Sequence, residues 1–281
     1  MKRYLYISAL LALGPAHSHG AEVAAPAAEA PPVPAMIGPA ASPWRLGIAI
    51  GYGERSNPLI ASDDIPVAVD LDIAWFGERF FFDNGDFGLT VSDNDAFTLS
   101  VVARINSDRV FFGRSDTRFV NLDAGFSAMM AIPLEPPDRD YAVELGAELL
   151  TDGDWGRLQL AAFHDVSSTH DGFEAFAEWS RGFRNRRWYL EPALGVSFKS
   201  RRLNDYYFGL RPDETAIPGL EAILGDGVNL RARLAASYQL TPHWSATMAA
   251  EYERLNDEAA SSPIVEDDYV LGWFAGLHYG F

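Results

Sequence analysis

The sequence predicts an all-β fold, a transmembrane antiparallel up-and-down β-barrel of about 12 strands, and three observations predict it. Beyond the N-terminus no stretch approaches the ~20 consecutive apolar residues of a membrane helix. Segments of about ten residues alternate apolar and polar down the chain, the period-two signature of strands with one oily and one polar face. Tryptophans gather at one end of those segments, as an aromatic girdle at a lipid–water boundary requires. A water-soluble β-barrel or sandwich also alternates, but nothing in it gathers rings at strand ends.

Lys2 and Arg3 precede an apolar run to about Ala16, and small residues follow at Ser18, Gly20 and Ala21. That order predicts a secretory signal peptide over 1–20. Residues 21–43 read AEVAAPAAEAPPVPAMIGPAASP, an Ala/Pro-rich stretch expected to serve as an extended periplasmic linker. The barrel is expected over 44–281, with strands near 44–53, 66–76, 79–91, 96–106, 119–131, 141–151, 154–166, 172–184, 187–199, 228–240, 242–256 and 268–281. Alternation is clearest in the last, where Tyr269, Leu271, Trp273, Ala275, Leu277, Tyr279 and Phe281 share one face. It is least regular in 79–91.

If the first strand ascends from the periplasm, the turns near Gly77, Asp152, Asn185 and Thr241 lie on the periplasmic side, and the longer connections 54–65, 132–140, 200–227 and 257–267 lie outside. The connection 107–118 does not obey this scheme, being long on the short-turn side. Trp44, Trp75, Trp155, Trp188 and Trp244 fall at periplasmic strand ends, and Tyr52, Tyr141, Tyr252 and Tyr269 at the opposite ends.

Composition narrows the function classes. The 281 residues carry 22 Lys and Arg against 39 Asp and Glu, a net charge of −17. Removal of Lys2 and Arg3 with the signal peptide makes the chain two units more acidic, so binding to nucleic-acid phosphates is not expected. There is no cysteine, which excludes disulfides, thiolate metal sites and cysteine nucleophiles. The register sends Arg45, Asp70, Asp72, Arg104, Asp123, Glu144, Glu148, Arg157, Glu174, Glu178, Arg184, Glu191, Lys199, Arg231, Arg233, Glu251 and Glu253 into the lumen. Such a mixture either braces the wall by ion pairs or lines a water-filled path. His164-Asp165 and His170-Asp171 are the sharpest candidates for acid–base or metal chemistry. The first two residues point to opposite faces of a strand and the second two fall in a Ser/Thr-rich turn, so convergence is not implied. GxSxG, HExxH and P-loop motifs are missing, as is a GxGxxG between strand and helix. No catalytic residue, metal or cofactor is expected.

Four motifs then bear on family. These are Asn204-Asp205-Tyr206-Tyr207-Phe208-Gly209, Tyr252-Glu253-Arg254-Leu255-Asn256-Asp257, Ser261-Ser262-Pro263-Ile264-Val265 and His278-Tyr279-Gly280-Phe281. Together, in their order and spacing to the terminus, they resemble the MipA/OmpV family, the MltA-interacting proteins of the Gram-negative outer membrane. The tract from Gly47 to Pro66, with Gly51-Tyr52-Gly53, looks like that family's first strand and loop. Tyr206, Tyr207, Gly209, Ser262, Pro263 and Phe281 carry the match.

The resemblance implies an integral outer-membrane barrel without known catalytic residues, embedded in phospholipid and lipopolysaccharide. It also implies a C-terminal strand read by the barrel-assembly machinery through Phe281. Its founding member is described as a scaffold joining a lytic murein transglycosylase to a penicillin-binding murein synthase, and other members are linked to adhesion, osmotic response or solute passage. The expected function is therefore a non-enzymatic scaffold for murein-remodelling machinery. A narrow channel for small solutes is the alternative, and an outer-membrane hydrolase ranks third.

Overall fold

Strands in a bilayer leave no main-chain polar group for water to satisfy, so a sheet there must close on itself. In a computed structural model, which describes residues 43–112, 118–120, 132–134 and 136–280, the chain meets that demand. Its strands are β1 (Trp44–Arg55), β2 (Ile65–Phe76), β3 (Phe80–Asp83), β4 (Asp86–Asp93), β5 (Thr98–Ile105), β6 (Arg118–Val120), β7 (Ile132–Leu134) and β8 (Val143–Gly153). They continue as β9 (Gly156–Asp165), β10 (Phe173–Ser180), β11 (Phe183–Asn185), β12 (Trp188–Lys199), β13 (Gly227–Gln239), β14 (Trp244–Arg254) and β15 (Tyr269–Gly280). β1 pairs antiparallel with β15, from Gly47↔Gly280 to Arg55↔Gly272. β6 and β7 form a separate two-stranded sheet. β11 continues the line of β10 beyond a break at Arg181, both lying along β12. The result is a closed antiparallel barrel of twelve strands.

The strand total matches the sequence expectation, but two of its members do not. Segment 79–91 is a hairpin rather than one strand: β3 and β4 face each other from Phe80↔Leu89 to Asp83↔Asp86. Asn84 and Gly85 turn it with φ of 49° and 113°, the Asn-Gly signature of a tight hairpin. Asn84 also accepts a hydrogen bond from the Ile73 amide at 2.9 Å, which fixes the tip to β2. Above that tip β2 is paired on its β1 edge alone among the described residues. Segment 119–131 does not stand between its expected neighbours, because β5 pairs directly with β8 from Thr98↔Leu150 to Ile105↔Val143. Residues 121–131 lie outside the described residues, as do 1–42, with the signal peptide and nearly all of the linker, and Phe281.

These two corrections remove the anomaly in the loop pattern. With 79–91 folded back, β5 ascends, and the connection after it joins the long-loop end of the barrel. The short turns 77–79, 94–97, 154–155, 186–187 and 240–243 share one end, where β1 begins and β15 finishes. The outer wall carries exposed Ile50, Leu194, Leu230 and Leu277. Rings bound it at both ends. Trp44–Trp75, Trp188–Tyr238 and Trp244–Tyr279 pair at the short-turn end, with centroids 6.4, 4.8 and 5.0 Å apart. Tyr52–Trp273 and Tyr252–Tyr269 pair at the other, 5.4 and 5.9 Å apart.

The seam between first and last strands is tight. A Cβ on Gly51 would lie 2.1 Å from the Ala275 carbonyl oxygen. Gly51→Val is therefore expected to lower the stability of the folded barrel by ~1–3 kcal/mol, read as a lower urea midpoint in detergent micelles. Ala68→Val, on an exposed position of β2, serves as the control and should leave the midpoint within about 0.5 kcal/mol.

Candidate functional site

The interior divides into a charged lumen and a packed cap. Arginine is suited to bracing a lumen because its fork addresses two carboxylates at once. Arg104 of β5 donates through Nε to Glu144 of β8 at 2.8 Å and through Nη2 to Glu174 of β10 at 2.5 Å. Its guanidinium lies 3.8 Å from the Phe163 ring centre. Glu144 is wholly buried and also accepts from Asn106 Nδ2 at 2.8 Å. His170 Nδ1 accepts the Gly172 amide at 2.9 Å, which puts the imidazole proton on Nε2, 3.4 Å from Glu144.

A second group runs down the bore from Glu253, near the long-loop end of β14, to Glu191, near the short-turn end of β12. Arg233 Nη2 donates to Glu178 at 2.8 Å and stands 3.9 Å from Glu191, whose carboxylate also receives the Tyr189 hydroxyl. Arg231 stands 3.7 Å from Glu251 and 3.3 Å from Glu253, and Gln159 Nε2 donates to Glu148 at 2.7 Å. Arg104 with Glu174, and Arg233 with Glu178, join strands that are not neighbours in the wall. Asp72 binds Arg45 at 3.0 Å and Arg157 binds Asp152 at 2.8 Å. Arg184 is exposed at the short-turn rim, its guanidinium 5.3 Å from the Tyr189 ring. Asp123 lies outside the described residues.

Between these pairs is a cavity of about 960 Å³. Its lining runs from rim residues such as Glu78, Asp95 and Asp152 up to Arg104, Ser107 and Arg55. At the opposite end the loops fold together. Helix α1 (Arg201–Phe208) and helix α2 (Asp257–Ala260) pack with the 3-10 turn Ser107–Phe111. Leu59, Phe111, Phe112, Leu203, Tyr207, Phe208, Leu210, Leu255 and Ile264 form one buried cluster with Ile65 and Val270 from the strand tops. Leu203, Tyr207, Phe208 and Ile264 are 0% exposed. Tyr206 meets the Tyr207 ring edge-on at 5.0 Å.

Three of the four family motifs, distant in sequence, meet in this cap; the fourth, at the end of β15, lies at the short-turn end, with Phe281 outside the described residues. Ser262 Oγ donates to the Phe208 carbonyl at 2.5 Å, tying the Ser-Ser-Pro motif to the end of α1. Pro263 follows in the same turn, ahead of buried Ile264. Gly209 leaves its carbonyl to Arg139 Nη2 at 3.0 Å, and a Cβ there would lie 2.3 Å from the Asp205 carbonyl. Asn256 caps α2 by accepting the Ala259 amide at 2.9 Å and donates to Asn229 Oδ1 at 2.8 Å. Asn229 in turn donates to Glu253 at 2.7 Å.

Three anchors escaped sequence reasoning because their partners are distant in the chain: Asp108 and Arg139 in loops, and Asn229 near the top of β13. One signal for the first was present. Lys199 is one of two lysines in the chain, and its Nζ lies 2.7 Å from both Asp108 carboxylate oxygens, all of them buried. The histidine candidates do not converge. His164 is exposed on β9, whereas His170 is buried against Tyr206 and Tyr207, with ring centres 6.2 and 5.8 Å away. Asp165 organises its loop by accepting the Ser167, His170 and Asp171 amides at 2.8, 2.6 and 2.9 Å. Among the described residues no group of three His, Asp or Glu side chains is arranged to hold a metal ion.

The cap's charges set two expectations. Lys199→Met strands the buried Asp108 carboxylate and should cost ~3–5 kcal/mol, while the double change with Asp108→Asn should recover most of it; urea unfolding in micelles measures both. Glu214 is partly desolvated, which raises its pKa, but hydrogen bonds from Arg139 and from the Arg211 amide prevail and hold it below its ordinary 4.5. A depressed carboxyl stabilises above its unfolded pKa and loses that contribution as pH falls through the folded one. Hydrogen exchange around 209–214 should therefore accelerate as pH drops below 4.5, after correction for intrinsic rates, and Glu214→Gln should abolish the dependence.

Comparison with known proteins gives the geometry a lineage. The chain is 26% identical over 239 residues to the MltA-interacting protein of Escherichia coli K12, covering 85% of this chain and 90% of that one. It is 23% identical to the putative outer membrane protein YiaT of the same organism, covering 89% and 95%, and 23% identical to OmpV of Vibrio cholerae, covering 75% and 73%. Among solved structures, an outer-membrane channel of Pseudomonas putida F1 aligns with 90% of this chain and 100% of its own at a TM-score of 0.39 and 9% identity. The barrel assignment rests on the strand ladder itself and not on that likeness. The protein resides in the outer membrane. Residues 46–281 match the family model of MltA-interacting protein MipA, and the chain belongs to that family.

Proposed function

We propose that the protein is a non-enzymatic outer-membrane scaffold that engages a lytic murein transglycosylase on its periplasmic face. The observation that carries this reading is the packed cap. Tyr207, Phe208, Leu203 and Ile264 fill the long-loop mouth with a dry core, whereas a constitutive pore needs a hydrated path at both ends. The lumen charges are spent on one another across the bore, as bracing requires. The relative named for interaction with MltA, matched along most of both chains, supports a murein transglycosylase as partner. The penicillin-binding synthase and the barrel-assembly machinery belong to the same proposal as further contacts.

A second reading, a narrow solute channel, draws on the 960 Å³ cavity beneath the cap. Two measurements separate them. Affinity capture from solubilised envelopes should recover a murein transglycosylase, and the purified barrel should be silent in planar bilayers. Discrete conductance steps that change on Arg231→Ala, with no transglycosylase captured, would replace the scaffold with the channel. Cleavage of a peptide or phospholipid that is lost on His170→Ala would overturn both.

A further inference from the structure

The short-turn rim is mostly acidic. Glu78, Asp93, Asp95, Asp152 and Asp154 are all exposed there, as an overall charge of −17 leads one to expect. One turn breaks the pattern. Between β10 and β12 the chain reads Arg181-Gly182-Phe183-Arg184-Asn185-Arg186-Arg187, and every residue of it is exposed. Arginines inside the barrel are matched to carboxylates, but none of these four has a carboxylate within ion-pair distance among the described residues. Arg184 leans on Tyr189 at the lumen mouth. The other three belong to the outside or the tip of the turn.

Depth selects the partner. Phe183 and Trp188 are 50% and 59% exposed and lie in register with the lipid-facing wall, since Phe183 pairs with Leu190 and Asn185 with Trp188. Trp179 of the preceding strand donates its indole N–H to the Trp155 carbonyl at 3.1 Å, which places the neighbouring turn in the same aromatic band. Arg181 sits 5.4 Å from the Phe183 ring centre, a cation at the level where rings meet headgroups. An aqueous protein partner would not need the arginines set among lipid-facing rings. A phospholipid would, because its acyl chains lie along the rings while its phosphate meets the guanidinium fork.

We infer that Arg181, Arg186 and Arg187, with Phe183 and Trp188, form a binding site for an anionic phospholipid headgroup in the periplasmic leaflet. The site fixes the depth and tilt of the barrel beside β12. It differs from the scaffold proposal in its ligand, a lipid held at the outer wall beside the short-turn end rather than a protein, so lipid retention and transglycosylase capture test the two separately.

The test uses the full mature protein in nanodiscs of phosphatidylethanolamine with phosphatidylglycerol or cardiolipin, with retained lipids counted by native mass spectrometry after release. Wild-type protein should retain the anionic lipid preferentially. The triple variant Arg181→Gln, Arg186→Gln, Arg187→Gln should lose that preference by about tenfold or more. Arg201→Gln with Arg202→Gln, at the opposite end of the barrel, should retain it. Resistance of the folded band to detergent at room temperature verifies that each variant is a barrel. Equal retention by wild type and triple variant overturns the site. So does loss of binding to an acidic peptide or to murein, but not to lipid, in the triple variant.

Discussion

Main-chain amides and carbonyls buried in hydrocarbon must find partners within the protein, and the rest of this molecule depends on how that is met. Closure of β1 onto β15 and of β10 onto β12 supplies those partners along most of the wall, the upper part of β2 being paired on its β1 edge alone among the described residues, and makes each wall strand present one face to lipid and one to the bore. The outer face can then be only apolar. The inner face is enclosed, so its charges must be matched locally. Arg104 among Glu144 and Glu174, and Arg233 between Glu178 and Glu191, follow from that enclosure. An unmatched charge there would cost several kcal/mol.

The cap follows from the same enclosure at one end. Helix α1 is too short to be stable alone, and it persists because Leu203, Tyr207 and Phe208 bury against residues from three other connections. Hydrogen bonds through Asn204, Asn229 and Asn256 satisfy the polar groups that this burial would strand. Burial drives the Tyr207 phenol well above its ordinary pKa, so it stays neutral under all ordinary conditions and donates to the Asp140 carbonyl at 3.3 Å. Three of the four family motifs thus serve one packing purpose: 204–209, 252–257 and 261–265 each supply one wall of a single small core, while the fourth closes β15 at the short-turn end.

The sequence revealed the wall better than the site. Period-two alternation in 228–240 and 268–281 is unambiguous because each long strand has one lipid face and one lumen face. In 79–91 the alternation breaks, and the decisive signal was instead the Asn84-Gly85 pair, a hairpin turn hidden inside an aromatic run. Segment 119–131 alternates well enough to pass for a wall strand, yet β5 passes directly to β8, since alternation reports two-sidedness and not the identity of the neighbour. The cap was legible only as a long connection containing Tyr206 and Tyr207. Its anchors, Asp108 on Lys199 and Arg139 on Glu214, join residues 91 and 75 positions apart, and no local pattern encodes such pairs.

The bore is closed by the cap at its long-loop end and opens at its short-turn rim. The absence of cysteine makes this directly measurable. Ser100 is buried on the lumen face of β5 and lines the cavity, so a single Ser100→Cys change can be probed with a small charged thiol reagent in vesicles whose protein orientation is scored by protease. Labelling is expected from the short-turn side and protection from the long-loop side. Rapid labelling from the long-loop side would contradict it.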